Sequence, residues 1–159
     1  MKEERAERGE TQHEAPAPRL SPHASPPCEL CSTEGGAVLW RDERCRVVLV
    51  NDADYPGYCR VIWSAHVKEM TDLTADERLH CMHIVFAVER ALRDVLAPDK
   101  INLASFGNQA PHVHWHLIPR FADDPHFPQP IWGTRQRAAQ RGAGAGLAAR
   151  LSQAIAAGL

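Results

Sequence analysis

The sequence of 159 residues has few aromatic side chains, no excess of one charge and no long apolar run. Aromatic residues make up 6%, and 18 Lys plus Arg stand against 20 Asp plus Glu, a formal net charge of −2. This balance argues against a chain that coats nucleic acid or an anionic membrane. The longest apolar stretches, such as 47–50, are far below the roughly 20 residues that span a bilayer. We therefore expect neither nucleic acid nor membrane as a partner.

The five cysteines, at positions 28, 31, 45, 59 and 81, lack the spacing of a disulfide framework. An odd number without a disulfide-like spacing is typical of a reducing compartment. The first residues mix both charge signs and lack the apolar stretch of a secretory signal, so we expect a cytoplasmic protein. Cys28 and Cys31 have the two-residue spacing that lets both thiolates bind one zinc, although one pair supplies only half of a tetrahedral site. Unliganded thiols and a redox dithiol are the alternatives.

Composition divides the chain into three parts. Residues 1–27 hold five prolines and nine charges, which predicts a disordered leader. Residues 28–133 carry the patterns of a folded catalytic domain. Residues 134–159 hold four arginines, no acidic residue and many alanines, which predicts a basic, partly helical tail. We expect this tail to be mostly solvated, with contacts to an anionic ligand or to its own acidic body as alternatives.

Hydrophobic periodicity predicts strands on both sides of one long helix. Short β-branched and aromatic runs favour strands at 37–41, 45–50 and 59–63. Thr74 and Glu77 match a capping box and predict a helix that ends before Pro98. Its predicted apolar face consists of Leu79, Met82, Val85, Phe86, Leu92, Val95 and Leu96. After the helix, residues 101–106 and 112–118 are predicted to form two strands joined by a tight loop.

Histidine is abundant, with nine residues, and three of them alternate with bulky apolar side chains. On a strand, His112, His114 and His116 would form a row on one face, while the residues between them enter the core. Neighbouring members of the row would lie roughly 6.5 to 7 Å apart at Cα. A single phosphate group spans that gap.

Three interpretations of this row are open. The rings can be hydrogen-bonded structural residues, or two of them can bind a catalytic zinc with a third ligand elsewhere. The third is nucleophilic catalysis at phosphorus, because neutral imidazole is a nucleophile at neutral pH and its neighbours can donate hydrogen bonds to phosphate oxygens. The preceding loop favours phosphorus. Gly107 permits close approach of backbone N–H groups to an oxyanion, and the amides of Asn108 and Gln109 add donors.

The run His112–Ile118 fits the motif His-φ-His-φ-His-φ-φ, with φ hydrophobic, at all seven positions, and so resembles the histidine triad (HIT) superfamily. The resemblance extends upstream through Gly107 and Asn102 to His66 and covers roughly residues 28–133. The tract 54–63 is similar to bacterial members described as diadenosine tetraphosphate hydrolase-like or Hint-like. The resemblance implies an α+β fold in which one long helix packs on an antiparallel sheet of about five strands, in a homodimer.

The activity implied by the resemblance is that of a nucleotide hydrolase or nucleotidyltransferase. His114 would attack the α-phosphorus of a small nucleotide conjugate, and water would then release a nucleoside monophosphate. His112 and His116 would contact phosphate oxygens, and the substrate phosphate would be held by Asn102, Gly107, Asn108 and Gln109. Where members commonly have Gly-Gln-Ser or Gly-Gln-Thr this chain has Gly-Asn-Gln. This difference leaves open which group protonates the leaving group.

The implied chemistry requires no cofactor, but the resemblance does suggest a structural zinc. Some members with an N-terminal Cys-x-x-Cys complete a zinc site with an upstream histidine and the first triad histidine. In this chain those positions are Cys28, Cys31, His66 and His112. Two alternative functions remain open from the sequence: a zinc-dependent hydrolase that uses the histidine row as ligands, and a nucleotide-binding regulatory module with residual activity.

Overall fold

The computed structural model describes residues 28–159, so the predicted leader, residues 1–27, lies outside the described residues. In the described part the chain forms three α-helices and five strands. In chain order they are α1 (Glu29–Ser32), β1 (Ala37–Arg41), β2 (Cys45–Leu49), β3 (Cys59–Trp63), α2 (Ala75–Leu96), β4 (Lys100–Ala104), β5 (His114–Arg120) and α3 (Leu147–Ala157), with a short 3-10 turn at Met70–Asp72. None of these helices combines the length and the apolar character needed to cross a membrane.

The five strands form one sheet in the order β1-β2-β3-β5-β4, and every neighbouring pair is antiparallel. This architecture confirms the predicted α+β class. Strand β5 lies in the interior of the sheet, with β3 on one side and β4 on the other. Residues 114–117 of β5 pair with β3 and residues 116–120 pair with β4, so His116 and Leu117 are paired on both sides.

The first three strands agree with the predicted ones to within one residue, but β5 is displaced toward the C-terminus. It begins at His114 instead of His112 and continues through Pro119. Pairing with β3 ends at Leu117, beyond which only β4 lies alongside. Proline has no N–H to donate, so it is tolerated where one side of the strand is unpaired. His112 lies in the turn that leads into the strand.

One face of the sheet and two helices enclose the main core. Val113 and Leu117 are buried there as predicted, and Trp115 packs at its edge. Of the predicted apolar face of α2, Val85 and Leu92 are buried and Met82, Val95 and Leu96 are partly buried against the core. The structure adds the buried residues Cys81, Ile84, Ala87, Val88 and Ala91. Leu79 and Phe86 are 71% and 55% exposed. They are seven residues apart and share the opposite side of the helix, since a helix repeats every 3.6 residues.

The C-terminal segment packs against the same core. Leu147, Leu151 and Ile155 of α3 are buried against β1 and α2, so the packed body extends beyond residue 133. The arginines ahead of α3 bind acidic side chains of the body: Arg135 pairs with Asp54 and Arg141 with Asp123. Of the alternatives for the tail, the structure shows contact with its own acidic body. Apolar burial by α3 explains why the segment is anchored.

The capping box at the start of α2 is present. The backbone N–H of Glu77 donates to Oγ1 of Thr74 at 3.3 Å, and the backbone N–H of Thr74 donates to a carboxylate oxygen of Glu77 at 2.8 Å. We predict that Thr74→Ala lowers the free energy of unfolding by about 1 kcal/mol, because one N–H of the first turn loses its acceptor. Urea denaturation measures this. Thr134→Ala, at an exposed loop position, serves as the control, and equal losses in both variants would contradict the prediction.

Candidate active site

The alternation of β5 presents His114 and His116 on the face of the sheet opposite the helices. Each side chain is 7% exposed, and the ring centroids lie 4.8 Å apart at an interplanar angle of 74°. Pairing with β3 places Ile62 opposite His114 and Arg60 opposite His116. The two imidazoles therefore share a small, partly covered site with a guanidinium group.

The ring of His114 is oriented by the backbone. Its Nδ1 lies 2.6 Å from the carbonyl oxygen of His112 and donates to it, which leaves the lone pair of the neutral ring on Nε2. Burial lowers the pKa of His114 most strongly, and the positive charge of Arg60 lowers it further. The ring is therefore an unprotonated, fixed imidazole at neutral pH, which is the state that a nucleophile requires.

His116 is held by a tyrosine. The hydroxyl of Tyr58 and Nδ1 of His116 are hydrogen-bonded at 2.5 Å, and Tyr58 is itself buried. Burial, followed by the charges of His114 and Arg60, lowers the pKa of His116 to about 4. This ring is also neutral at pH 7 and offers its second nitrogen to a ligand above the sheet.

His112 departs from the predicted row. Its Nε2 lies 2.6 Å from the carbonyl oxygen of Trp63 and donates to it, and its Nδ1 lies 3.4 Å from the sulfur atoms of both Cys28 and Cys31. Both ring nitrogens are thus directed at protein groups. The ring is 1% exposed, against 7% for each of the other two histidines.

The cysteine pair, His66 and His112 come together as one cluster. Nδ1 of His66 lies 3.3 Å from Sγ of Cys31, and the four potential ligand atoms all lie within 4.8 Å of one another. The short helix α1 positions the two thiols on the sheet. Neither His114 nor His116 belongs to any cluster of three or more metal-ligating side chains in the described part of the chain.

Of the residues predicted to bind phosphate, Gly107 and Asn102 lie near the histidines. Gly107 and His112 line a cavity of about 430 Å³ that opens beside the site. A Cβ atom built on Gly107 would meet nothing closer than 3.8 Å, so space alone does not require glycine here. Asn108 and Gln109 are exposed. Asn102 lies on the histidine face, where its side-chain oxygen accepts a hydrogen bond from Arg120 at 2.6 Å.

Two aromatic side chains flank His116. The rings of Phe106 and Trp132 meet edge to face at 4.6 Å, and their centroids lie 5.9 and 5.5 Å from that of His116. Both are about half exposed, at 49% and 51%. An exposed aromatic pair at a site edge is suited to stacking against a planar ligand group.

Sequence reasoning missed Tyr58, Arg60 and Phe106. Tyr58 and Arg60 lie on β3, far from the motif in sequence, and they meet the histidines only through the β3 to β5 register. Period-two alternation on β3 predicts that Arg60 and Ile62 share one face of the strand and that Val61 lies on the other. No local pattern indicates which face of β3 shares a side with the histidines.

Fold and site together define an α+β domain whose interior strand carries histidines at alternate positions on the open face of the sheet. The family model described as the HIT domain matches residues 34–123, and the chain belongs to this family. The resemblance seen in the sequence is thereby confirmed.

Known relatives are distant. The AP-4-A phosphorylase of Mycobacterium tuberculosis is 29% identical over 110 residues, which cover 65% of this chain and 56% of the relative. The protein hit of Bacillus subtilis is 26% identical over 121 residues, covering 70% and 83%. The crystal structure of a histidine triad protein from Bradyrhizobium japonicum covers 88% of this chain and 98% of its own, with a TM-score of 0.65 and 27% identity. The chain spans only a little over half the length of the phosphorylase.

The depressed pKa of His116 generates a prediction about stability. In the unfolded chain His116 takes up a proton as the pH falls through about 6.5. In the folded protein the same ring stays unprotonated down to about pH 4. Stability from this ring is present at neutral pH and is lost as the pH falls across that window. The free energy of unfolding of the wild type falls between pH 7 and pH 4.5. In His116→Asn this fall should be smaller by about 1 to 2 kcal/mol, because asparagine does not titrate.

Urea midpoints at the two pH values measure this difference. His83→Asn is the matched control, because His83 is exposed on α2 and should leave the wild-type pH dependence unchanged. Parallel pH profiles for His116→Asn and the wild type would contradict the prediction.

Proposed function

We propose that the protein is an enzyme that acts at the α-phosphate of a nucleotide conjugate, either a dinucleoside polyphosphate or a nucleoside phosphoramidate. The observation that carries the proposal is the hydrogen bond from Nδ1 of His114 to the carbonyl of His112, because it fixes a neutral ring with its lone pair on Nε2. The name of the mycobacterial relative, AP-4-A phosphorylase, supports nucleotide processing in general.

The proposed reaction has two displacement steps. Nε2 of His114 attacks the α-phosphorus; a P–N bond forms as the bond from phosphorus to the leaving group breaks, and the leaving group takes up one proton. Water then attacks the same phosphorus and the P–N bond breaks; the proton that this water releases balances the one taken up by the leaving group, and the products are a nucleoside monophosphate and neutral His114. His116 is the neighbouring ring that donates a hydrogen bond to the phosphate oxygens, since its Nδ1 is already bound to Tyr58.

Phosphate binding by Asn102, Gly107, Asn108 and Gln109 stays a prediction. Asn102 supports it in one respect, because its side-chain oxygen is engaged by Arg120 and its amide nitrogen is the group that can donate to an anion. The homodimer and the cytoplasmic location also stay predictions. A nucleotide is the small-molecule partner that this reaction requires.

We further propose that His112 serves a structural zinc with Cys28, Cys31 and His66. Tetrahedral zinc with Zn–S near 2.3 Å and Zn–N near 2.0 Å requires sulfur-to-nitrogen separations of about 3.5 Å. Three of the four separations between Sγ and Nδ1 atoms in this cluster are 3.3 to 3.4 Å: Cys31 to His66, and His112 to each cysteine. His112 also offers the correct atom, because its Nε2 donates to the Trp63 carbonyl and its Nδ1 keeps a lone pair.

Such a zinc would supply a cross-link rather than a reactive centre. Its ligands come from the N-terminal segment, from the region after β3 and from the turn before β5, which are distant in sequence. This assignment removes His112 from direct phosphate contact. His112 would instead hold the carbonyl group that orients His114.

The catalytic proposal predicts that His114→Ala lowers turnover of an adenylated model substrate by about 10⁴-fold or more, because the nucleophile is lost. Release of AMP, followed by chromatography, measures this. His83→Ala, at an exposed position on α2, should retain wild-type turnover. A denaturing quench of the wild type during turnover should trap an adenylyl group on His114.

Two outcomes would contradict this proposal. Turnover that is lost with EDTA and restored by zinc, in protein that stays folded, would favour the zinc-dependent hydrolase. Tight AMP binding with equal, negligible turnover in the wild type and His114→Ala would favour the nucleotide-binding module.

The zinc proposal predicts about one zinc per chain in the purified wild type and none in a Cys28→Ser, Cys31→Ser double variant. Elemental analysis measures both. Cys81→Ala is the matched control, since it removes a thiol that is buried in the core away from the cluster. Equal zinc contents in the wild type and the double variant would overturn the assignment.

A further inference from the structure

Four arginines lie on the histidine face of the sheet: Arg41 on the edge strand β1, which is exposed and pairs with Glu34, and three that lie nearer the histidines. Strand register puts Arg46 of β2, Arg60 of β3 and Arg120 of β5 on the same face as His114 and His116. The other face is occupied by the apolar core, so cationic side chains are concentrated on the side where the site opens.

Arg46 and Arg120 form hydrogen bonds that stabilise the fold. Arg46 donates to the backbone carbonyls of Leu30, Thr33 and Glu34. Arg120 donates to both carboxylate oxygens of Asp124, to Asn102 and to the carbonyl of Gln129. These bonds tie both guanidinium groups to oxygen atoms of the protein.

Among the described residues Arg60 makes no such bonds to carbonyl or carboxylate oxygens, and its polar neighbour is the hydroxyl of Tyr58. Its Nε is buried and makes no hydrogen bond within the described part of the chain. No carboxylate among the described residues lies within ion-pair distance of it. A buried cationic donor without an acceptor is costly, and native structures usually satisfy such groups with protein, water or a ligand. The position therefore indicates an anion that is bound from outside.

Arg60 lies beside Tyr58 and close to the two histidines. Its guanidinium carbon lies 5.7 Å from the centre of the Tyr58 ring, and the hydroxyl of the same tyrosine binds His116. On the neighbouring strand His116 is directly opposite Arg60, and His114 is two residues away from His116. A phosphate beside His114 thus lies within reach of a long, forked side chain that a tyrosine keeps in place.

We propose that Arg60 binds the non-bridging oxygens of the phosphate that His114 attacks, and so acts as a substrate-binding and catalytic residue. This inference rests on the proposed function. Guanidinium groups match phosphate with two parallel hydrogen bonds, and their charge is most effective where negative charge develops during the displacement. Two neutral imidazoles supply hydrogen bonds but no charge, so Arg60 is the positive group that such a reaction needs.

The test is a comparison of Arg60→Gln and Arg60→Lys with the wild type, using the full chain and an adenylated model substrate. We expect kcat/KM to fall by about 10² to 10³-fold in Arg60→Gln, with partial recovery in Arg60→Lys, which restores the charge without the fork. Arg44→Gln is the matched control, because Arg44 is exposed at the turn between β1 and β2. It should retain wild-type kinetics.

Two further readouts separate ligand binding from a structural role. The affinity for AMP, measured by calorimetry, should fall in Arg60→Gln, while its urea midpoint should stay within the range of the Arg44→Gln control. In Arg60→Ala, added guanidinium ion should restore part of the turnover, which a packing defect does not predict. Wild-type affinity and kinetics in Arg60→Gln, or loss of activity that tracks only loss of stability, would overturn the inference.

Failure of this inference is distinguishable from failure of the proposed function. If His114→Ala is inactive and Arg60→Gln is fully active, only the role of Arg60 is wrong. If the wild type shows no turnover that depends on His114, the proposed reaction fails, and AMP binding by Arg60→Gln still tests whether the arginine binds phosphate.

Discussion

The two-sided strand β5 is the constraint on which the rest of the structure depends. Its odd-numbered residues fill the core against α2, and its even-numbered residues carry the histidines and Arg120. A shift of one residue in its pairing would bury imidazoles among aliphatic side chains and expose Leu117, so the apolar core itself enforces the register. Pairing with β3 fixes the backbone of His114, and pairing with both β3 and β4 fixes that of His116.

The same face of the sheet combines positive charge with neutral imidazoles. Arg46 donates to backbone carbonyls and lies 3.5 Å from a carboxylate oxygen of Glu34, and Arg120 forms an ion pair with the buried carboxylate of Asp124. Asp124 also accepts hydrogen bonds from the backbone N–H groups of His126 and Phe127, which fixes the chain that leads to Trp132. Arg120 and Asp124 thereby connect the sheet to the segment that places an aromatic ring beside His116. The overall charge of −2 gives no indication of this local field, because charges on other surfaces cancel it.

The three histidines of the motif lie in two different environments. His114 and His116 face the open side of the site, while the ring of His112 is directed at Cys28 and Cys31 and its carbonyl accepts the hydrogen bond from His114. The N-terminal cysteines are therefore linked to the orientation of the central histidine through one residue. The cluster of Cys28, Cys31, His66 and His112 does not contain His114, but it includes the residue whose carbonyl group orients the His114 ring.

The sequence by itself determined the elements and the character of the site. Period-two alternation predicted the strand of histidines, the capping box at Thr74 and Glu77 predicted the start of α2, and the motif predicted the family, because each signal is local or nearly so. Only the tertiary structure decided that Leu79 and Phe86 of α2 face outward and that His112 turns to the cysteines. It also decided that Arg60 and Tyr58 lie beside His116. This last arrangement depends on the register between strands that are some 55 residues apart in sequence, and local patterns carry no information about such a register.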